Sequence, residues 1–287
     1  MRKKGGSPKN RAGFTIVETL IVLAVTSVMF MSAAVFISGR RASTEFQVGI
    51  RDLRSKMQTV INQASAGNYT AGMNFNCTNN VSNPAVLRIN TPGSGSKDMG
   101  TTKECVFIGN SIMFSGDRMF VLPIAGLRET AAGKDVTTLA EAKPTAIGQG
   151  TSPSNNNNGP TDTVEVYPLP VGLKFVRANY NGSAIVAKTS FGFSTISSLA
   201  NFQTIGTEAS TGVQSFRLHQ LSSSLNTSTV ANAVDSFNNE NNSTGFAPAS
   251  QVDLCFESTG TEQSVLFTVG GDNSTAVQVN IRSGKSC

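Results

Sequence analysis

One stretch near the start of the chain restricts what the protein can be. Between Phe14 and Ser38 the only charged side chain is Glu18, and the other residues are apolar, serine or threonine. As a helix, this stretch would be about 37 Å long at about 1.5 Å per residue. A bilayer has a hydrocarbon core of about 30 Å. The sequence therefore predicts a transmembrane helix over residues 14–38.

Two ordinary kinds of apolar segment fit this stretch less well. A secretory signal peptide would have a basic start, but its apolar core has about 7–15 residues and leads into a cleavage site. A plain uncleaved anchor has the right length but does not explain Glu18. An acid in a membrane helix costs roughly 2.5–3.5 kcal/mol on insertion scales, so it indicates a function and needs a partner. The basic residues before the stretch are Arg2, Lys3, Lys4, Lys9 and Arg11.

The residues around Gly13 follow a specific pattern. A short basic leader ends in Gly13, Phe14 follows, and Glu18 is the fifth residue after the Gly13–Phe14 bond. This arrangement resembles the class III signal of the type IV pilin and pseudopilin family. In that family a membrane-embedded aspartyl peptidase, the prepilin peptidase, cuts after the glycine and methylates the new N-terminal phenylalanine. The resemblance implies a leader of residues 1–13, cleavage between Gly13 and Phe14, and N-methylation of Phe14.

The resemblance also implies a role for Glu18 in subunit assembly. In the family this acid pairs with the α-amino group of the N-terminal phenylalanine of a neighbouring subunit, which here is Phe14. A buried carboxylate is tolerated when it is paired and hydrogen-bonded, so Glu18 would favour the subunit register that supplies a cation. The expected partners are other pilin or pseudopilin subunits, the membrane assembly platform and the cytoplasmic membrane. The pattern is specific over about residues 5–40.

The charge balance separates the leader from the rest of the chain. The sequence has 23 basic and 18 acidic residues, a formal charge of +5. The whole excess lies in the leader, so the processed protein would be neutral, and global electrostatics favours no polyanionic partner. Arg40 and Arg41 follow the apolar stretch, and the larger basic cluster precedes it. The positive-inside rule therefore predicts a cytoplasmic leader and an extracytoplasmic domain, on the cell surface or in a periplasmic filament after assembly.

The helix is predicted to continue beyond the membrane, over residues 14–66 in all. An amphipathic stripe with spacings of four and three residues runs through the second half, and we expect it to pack on a sheet. No proline occurs before Pro84, and Gly39 and Gly49 are points where the helix could bend. The stripe consists of Phe46, Ile50, Leu53, Met57, Val60 and Ala64.

The rest of the chain, residues 67–287, is predicted to be one β-rich domain. We expect an α+β fold in which the long N-terminal helix packs across one face of an antiparallel sheet. Residues 68–105, 126–160 and 222–249 are expected to be turn-rich or polar connections. The layout resembles a minor pseudopilin of the GspH/FimT type. The predicted strands are 86–90, 105–108, 111–114, 118–123, 163–167, 173–177, 185–193, 213–221, 252–256, 264–269 and 276–281.

Four cysteines lie on the outer side of the predicted membrane segment, and four cysteines allow three connectivities. We expect the sequence-local pairs Cys77–Cys105 and Cys255–Cys287. Each pair closes a loop of roughly 30 residues, worth about 3–4 kcal/mol in the chain-entropy model. A metal site is not favoured, because the cysteines lack Cys-x-x-Cys spacing and the single histidine, His219, lies in a predicted strand.

The residue inventory does not favour catalysis. The sequence has no Gly-x-Ser-x-Gly, phosphate-binding Gly-x-x-x-x-Gly-Lys or His-Glu-x-x-His motif. Asp162 and Glu165 lie on opposite faces of a predicted strand, so we expect them to be solvated or paired with bases. Asp272 and Asn273 offer too few oxygen ligands for calcium, and a hairpin turn explains them better. We expect no enzyme activity and no cofactor.

Two classes of function fit these observations. The first is structural: a minor pilin or pseudopilin subunit that enters a type IV pilus or type II secretion-like filament through its apolar helix. The alternative is a binding module on the same scaffold, for DNA uptake in competence or for surface adhesion. Arg282 and Lys285, or Lys97 and Lys103, could contact DNA, although ordinary solvation explains these charges equally well. The sequence resembles pilins used for secretion, motility, adhesion and competence alike.

Overall fold

The fold is α+β, with a long N-terminal helix and antiparallel sheets in the rest of the chain, as predicted. The helices are α1 (Ile16–Ser65), α2 (Leu139–Ala142) and α3 (Val230–Ser243). The computed structural model describes residues 15–65, 76–79, 86–90, 106–127, 129–130, 132–136, 138–151, 163–180, 183–184, 190–197, 216–221, 228–243, 247–270, 276–285 and 287.

The strands in these ranges form three antiparallel sheets. A seven-stranded sheet has the order β11-β10-β9-β3-β4-β5, with β6 also paired to β4. A five-stranded sheet has the order β14-β13-β12-β7-β8, and β1 and β2 form a separate pair. The strands are β1 (Asn76–Asn79), β2 (Leu87–Asn90), β3 (Val106–Ser115), β4 (Arg118–Gly126), β5 (Thr145–Ala146), β6 (Glu165–Pro168), β7 (Leu173–Tyr180), β8 (Ser183–Ala184), β9 (Ser190–Ser197), β10 (Phe216–Gln220), β11 (Ala247–Ala249), β12 (Gln251–Ser258), β13 (Gln263–Gly270) and β14 (Gln278–Ser283).

Helix α1 has two halves that differ in what covers them. Its residues from Ile16 to Phe36 are exposed on every side, whereas the predicted stripe of the second half is buried. The helix is unbroken across both Gly39 and Gly49, so neither position ends it. At about 1.5 Å per residue, the 50 residues of α1 span about 75 Å. The apolar half therefore extends beyond the β domain, and no other part of the described chain covers it.

One hydrophobic core joins the second half of α1 to both large sheets. It contains helix residues together with side chains from β3, β4, β7, β9, β12 and β13. At its centre the Phe256 ring lies 5.5 Å from Phe114, 5.5 Å from Phe175 and 5.3 Å from Phe267, measured between ring centroids. All three pairs have the edge-to-face geometry that aromatic rings favour. The helix thus packs on two sheets, whereas the sequence predicted one.

The seven-stranded sheet is covered on both faces. In β3, Ile112 and Phe114 belong to the core beneath α1, while Met113 belongs to a second core on the opposite face. This alternation follows from the period of two in a strand. The second core is closed by α3, which contributes Ala233, Val234 and Phe237. The prediction of a polar connection over 222–249 was therefore wrong for residues 230–243.

Several strand boundaries also differ from the prediction. Predicted strands 105–108 and 111–114 form one strand, β3, with a shift of register between Phe107 and Gly109. The region expected to be turn-rich contains β1, and the predicted connection 126–160 contains α2 and β5. The β3–β4 hairpin turns at Gly116, where φ is +58°, as its Ser-Gly-Asp sequence predicted. The C-terminal meander β12–β13–β14 is confirmed.

Candidate functional site: the N-terminal helix and its junction with the β domain

The first turn of α1 is capped by a threonine. The Glu18 amide donates a hydrogen bond to Oγ1 of Thr15, over 3.3 Å. Thr15 and Glu18 have the spacing of a Ser/Thr-x-x-Glu capping sequence, which satisfies backbone amides that no helical carbonyl can reach. A carboxylate in the first turn is also favoured by the helix dipole. Gly13 and Phe14, the predicted processing residues, lie outside the described residues.

The carboxylate of Glu18 stands alone on the apolar half of α1. It is exposed and forms no ion pair or hydrogen bond with any residue that the structure describes. Its surroundings on the helix are exposed apolar side chains, such as Ile16 at 80% and Leu20 at 60% exposure. A charge in such surroundings is stable in lipid or in a helix bundle when another molecule supplies a cation.

The other polar groups of the apolar half are satisfied within the helix. Four hydroxyls donate to backbone carbonyls one turn earlier, at 2.7–2.9 Å. Such internal bonds remove the cost of placing a hydroxyl in an apolar medium. Glu18 is therefore the one side chain between residues 16 and 36 that requires an external partner. The four donors are Thr19, Thr26, Ser27 and Ser32.

The apolar half of α1 is long and apolar enough to cross a membrane, judged by length and composition. Basic residues follow it directly. The Arg40 guanidinium lies 4.4 Å from the centre of the Phe36 ring, and Arg41 forms an ion pair with Glu45 at 2.8 Å. Arginines at the end of an apolar helix suit the polar interface of a bilayer.

Two turns of the β domain pack closely on α1 just beyond these arginines. A Cβ atom at Gly260 would lie 2.9 Å from the Ala42 Cβ, and one at Gly49 would lie 3.1 Å from the Pro170 Cβ. Gly172 has φ +94° and faces the Phe46 backbone. Glycine thus allows these turns to approach the helix. Gly49, which the sequence indicated as a possible bend, is a close-packing position.

The segment that connects the two large sheets is held against α1 by polar contacts. These contacts lie on the same side of the helix as Gly49. Lys56 contacts both Glu165 carboxylate oxygens, at 2.5 and 2.6 Å, and the Tyr167 hydroxyl donates to Asp52 over 2.5 Å. Burial raises the pKa of Tyr167, and the hydrogen bond to Asp52 and the negative charges of Asp52 and Glu165 raise it further. Glu165 is therefore paired with a base, one of the two outcomes expected for it. Its predicted companion Asp162 lies outside the described residues.

On the far side, α1 is tied to the segment before β14. The Arg54 Nε donates to the Val277 carbonyl over 3.0 Å, and the Val277 amide donates to the Gln58 side chain over 2.8 Å. Further along, the Asn110 side chain donates to the Val60 carbonyl over 3.2 Å. The β domain therefore contacts α1 from Ala42 to Val60. These contacts begin six residues after Phe36, the last residue of the exposed apolar half.

The predicted disulfide Cys255–Cys287 is present and joins the middle of β12 to the end of the chain. Cys77 is also disulfide-bonded, and its predicted partner Cys105 lies outside the described residues. No group of three or more possible metal ligands occurs among the described residues. His219 lies in β10, where its backbone pairs with Ser194 and Pro248.

The candidate DNA-contacting residues are only partly described. Lys285 lies 3.1 Å from Glu262, and Arg282 donates to the Cys287 carbonyl over 2.9 Å. Lys97 and Lys103 lie outside the described residues. DNA binding by these positions stays a prediction. The residues that the sequence did not indicate are those of the junction, including Asp52, Tyr167 and Gly260, since their partners are far away along the chain.

Comparison with known families gives a match at the start of the chain. Residues 8–34 match the family model of the prokaryotic N-terminal methylation motif. The matched range contains Gly13, Phe14, Glu18 and most of the apolar half of α1. No curated protein and no solved structure matches the chain. The matched motif is the type IV prepilin-like signal, which implies processing by a peptidase and assembly with other pilins, and it indicates a type IV pilin-like protein.

Proposed function

We propose that this chain is a minor pilin or pseudopilin subunit, cut after Gly13 and assembled into a filament through α1. One observation carries this proposal. The methylation motif leads directly into an exposed apolar helix with a single unpaired carboxylate, and the same helix continues without a break into the core of the β domain. Such a helix can be held in a membrane or in a filament core while it carries the domain.

Cleavage at Gly13 would supply the cation that Glu18 requires. Before cleavage the Phe14 nitrogen belongs to a peptide bond and is uncharged. Hydrolysis of that bond gives Phe14 an α-amino group, which is protonated near neutral pH, and N-methylation keeps it a cationic amine. Within an apolar bundle, Glu18 of one subunit and Phe14 of the next would form an ion pair. Processing would thus be chemically coupled to assembly.

The apolar surface of α1 would provide the bulk of the contact, and Glu18 its register. Lipid tails are as apolar as the side chains of α1. When neighbouring helices replace lipid around α1, the free energy therefore becomes more favourable mainly through packing and polar pairing. A carboxylate left unpaired in that environment is strongly disfavoured. A one-turn slip between subunits would leave both Glu18 and the α-amino group without a partner, and the correct register avoids this cost.

Two further features support a minor, extracytoplasmic subunit. The Cys255–Cys287 disulfide is the kind of bond that forms in oxidising compartments outside the cytoplasm. The β domain, with its long connections, is larger than a typical major subunit of the family carries. In this proposal the domain is displayed on the filament, either on the cell surface or in the periplasm.

Mass spectrometry of the N-terminal peptide, from protein purified from its native membrane, tests the proposal. We expect the peptide to begin at N-methylated Phe14. Gly13→Val should block the cut, whereas Gly6→Ala, in the same leader, should not affect it. Retention of Met1, or a cut after Ser38, would show a plain anchored or secreted β domain and would refute the proposal.

A further inference from the structure

The two basic residues near the end of the chain, Arg282 and Lys285, lie at a defined end of the five-stranded sheet. Strand β14 ends at Ser283, which is paired with Gln263 at the start of β13. The Gly284 amide donates to the Glu262 carbonyl over 2.8 Å, so residues 282–285 lie beside the turn that connects β12 and β13. We call residues 258–262 and 282–285 the proximal end of the domain.

The proximal end lies next to the apolar half of α1. Gly260, in its turn, is packed on Ala42, whereas Val277, before the start of β14, is bonded to Arg54 and Gln58. From Ala42 to Gln58 the helix advances about 24 Å, and the six residues of β14 advance about 20 Å. Strand and helix therefore run side by side. Ala42 is six residues beyond Phe36, a rise of about 9 Å.

The charges around this end are mainly basic. Arg40 and Arg41 on α1, with Arg282 and Lys285 on the domain, give four cations, against which stand Glu45 and Glu262. Lys174 and Glu257, beside Ser258, add one charge of each sign. The Lys285–Glu262 pair is open to water, with half or more of each side chain exposed. Such an exposed pair is weak and can exchange partners.

We infer that the proximal end of the β domain rests on anionic lipid headgroups, with Arg282 and Lys285 extending the basic zone begun by Arg40 and Arg41. The inference rests on the proposed function, because α1 must first span the bilayer. The headgroup layer begins where the apolar half ends, and long basic side chains can reach down to it. Each cation near an anionic surface gains about fivefold in binding, the factor that corresponds to about 1 kcal/mol.

This placement favours lipid over DNA as the partner of Arg282 and Lys285. Both residues lie at the end of the domain nearest the apolar half of α1, so in a membrane-inserted subunit they lie on the side of the domain that is closest to the bilayer. A duplex would have to enter the narrow space between domain and membrane. In an unassembled subunit, lipid contact would hold the domain in one orientation until α1 contacts the helix of a neighbouring subunit.

The test uses the full chain in nanodiscs of phosphatidylcholine, with or without phosphatidylglycerol. A fluorescent label is attached at position 259, in place of the exposed Thr259 side chain. A nitroxide on the lipid headgroup quenches the fluorescence of this label at short range. We expect quenching to rise with phosphatidylglycerol and to fall with salt. Arg282→Gln with Lys285→Gln should lower the ratio of docked to undocked domain about 25-fold, by two fivefold factors. Glu262→Gln should raise it, because it frees Lys285.

Two matched variants serve as controls. Arg282→Lys with Lys285→Arg retains both charges and should retain the quenching, while Lys134→Gln removes an exposed charge elsewhere on the domain and should leave it unchanged. Equal quenching in both lipid mixtures, with the chain inserted, would overturn the inference alone. Failure of the chain to insert into nanodiscs would overturn the proposed function as well. Loss of DNA binding in the double glutamine variant, with quenching unchanged, would assign this surface to DNA instead.

Discussion

Replacing Leu53 with alanine tests whether the second half of α1 is part of the domain core. Leu53 is fully buried and belongs to the cluster that contains residues of both large sheets. Buried leucine-to-alanine substitutions cost about 2–5 kcal/mol, through lost transfer energy and the cavity that remains. The gain in helix propensity is at most a few tenths of a kcal/mol. Because domains of this kind have about 5–15 kcal/mol of stability, the loss would be large.

The matched control is Val48→Ala on the same helix. Val48 is 58% exposed, so its truncation should change stability by less than about 0.5 kcal/mol. For a domain of this size, about 1 kcal/mol shifts the melting temperature by about 2–4 °C. Leu53→Ala should therefore lower it by roughly 4–20 °C, measured on the full chain in nanodiscs.

Near-ultraviolet circular dichroism of the tyrosines is the suitable probe. The chain has no tryptophan, and Tyr167 and Tyr180 both lie in the β domain, so this signal reports the domain and not the apolar half of α1. The far-ultraviolet helix signal would partly persist, because the membrane-embedded half need not unfold. If Leu53→Ala and Val48→Ala shifted the transition equally, α1 would not be an integral part of the core, and the proposed link between filament helix and domain would fail.

Three further predictions follow from single contacts. Glu18→Gln keeps the side-chain shape but removes the charge, so processing at Gly13 should continue while incorporation into sheared filaments falls by about 100-fold or more; unchanged incorporation would contradict the ion-pair role. The raised pKa of Tyr167 means that its interactions stabilise the fold fully below pH 10, the usual tyrosine pKa, and are lost as pH rises above it. The difference in phenolate absorbance between wild type and Tyr167→Phe should therefore show a step above pH 10, and a step at or below 10 would show that the burial of Tyr167 and its Asp52 contact are absent in solution. Replacing Cys255 and Cys287 with serine opens a loop of 32 residues and should cost about 3–4 kcal/mol in chemical denaturation; a loss below about 1 kcal/mol would mean that the unfolded chain is already restricted there.

The helix and the final meander could be predicted because their patterns are local. The stripe from Phe46 to Ala64 repeats every three or four residues, and each of its six members is buried. The last three strands alternate in the same direct way, and β12 and β13 are joined by a segment of only four residues, 259–262. The Cys255–Cys287 pair was also the sequence-local choice. In each case the information lies within a window of a few residues or along one chain segment.

Helix α3 was missed because most of its residues favour turns and loops. Its apolar positions are Val230, Ala231, Ala233, Val234 and Phe237, and asparagine and serine fill most of the rest. The helix is stabilised by burial against the second face of the seven-stranded sheet and by long-range bonds. In one of these bonds, the Asn238 side-chain oxygen accepts a hydrogen bond from the Ala146 amide over 3.0 Å. Asparagine is a poor helix former, so tertiary contacts override its propensity here.

The junction contacts could not be predicted for a different reason. Lys56 and Glu165 are 109 positions apart, and Asp52 and Tyr167 are 115 positions apart. Each of these residues is an ordinary surface polar residue when viewed alone. Only the path of the chain from β6 into β7, which follows the side of α1, brings the partners together. The division into two sheets was equally hidden, because strand patterns do not specify which distant strands will pair.

The change of pattern along α1 explains how one helix serves two surroundings. Before Arg40 it has no polar face, which suits contact with lipid or with another apolar helix on every side. Beyond Ala42 it has one apolar stripe, which its own domain covers, and its polar side faces water. The helix therefore depends on other molecules for burial in its first half and on its own chain in its second. Glu18 lies in the dependent half, and in the proposed function a cation from another subunit pairs with it, so that assembly satisfies this part of the molecule.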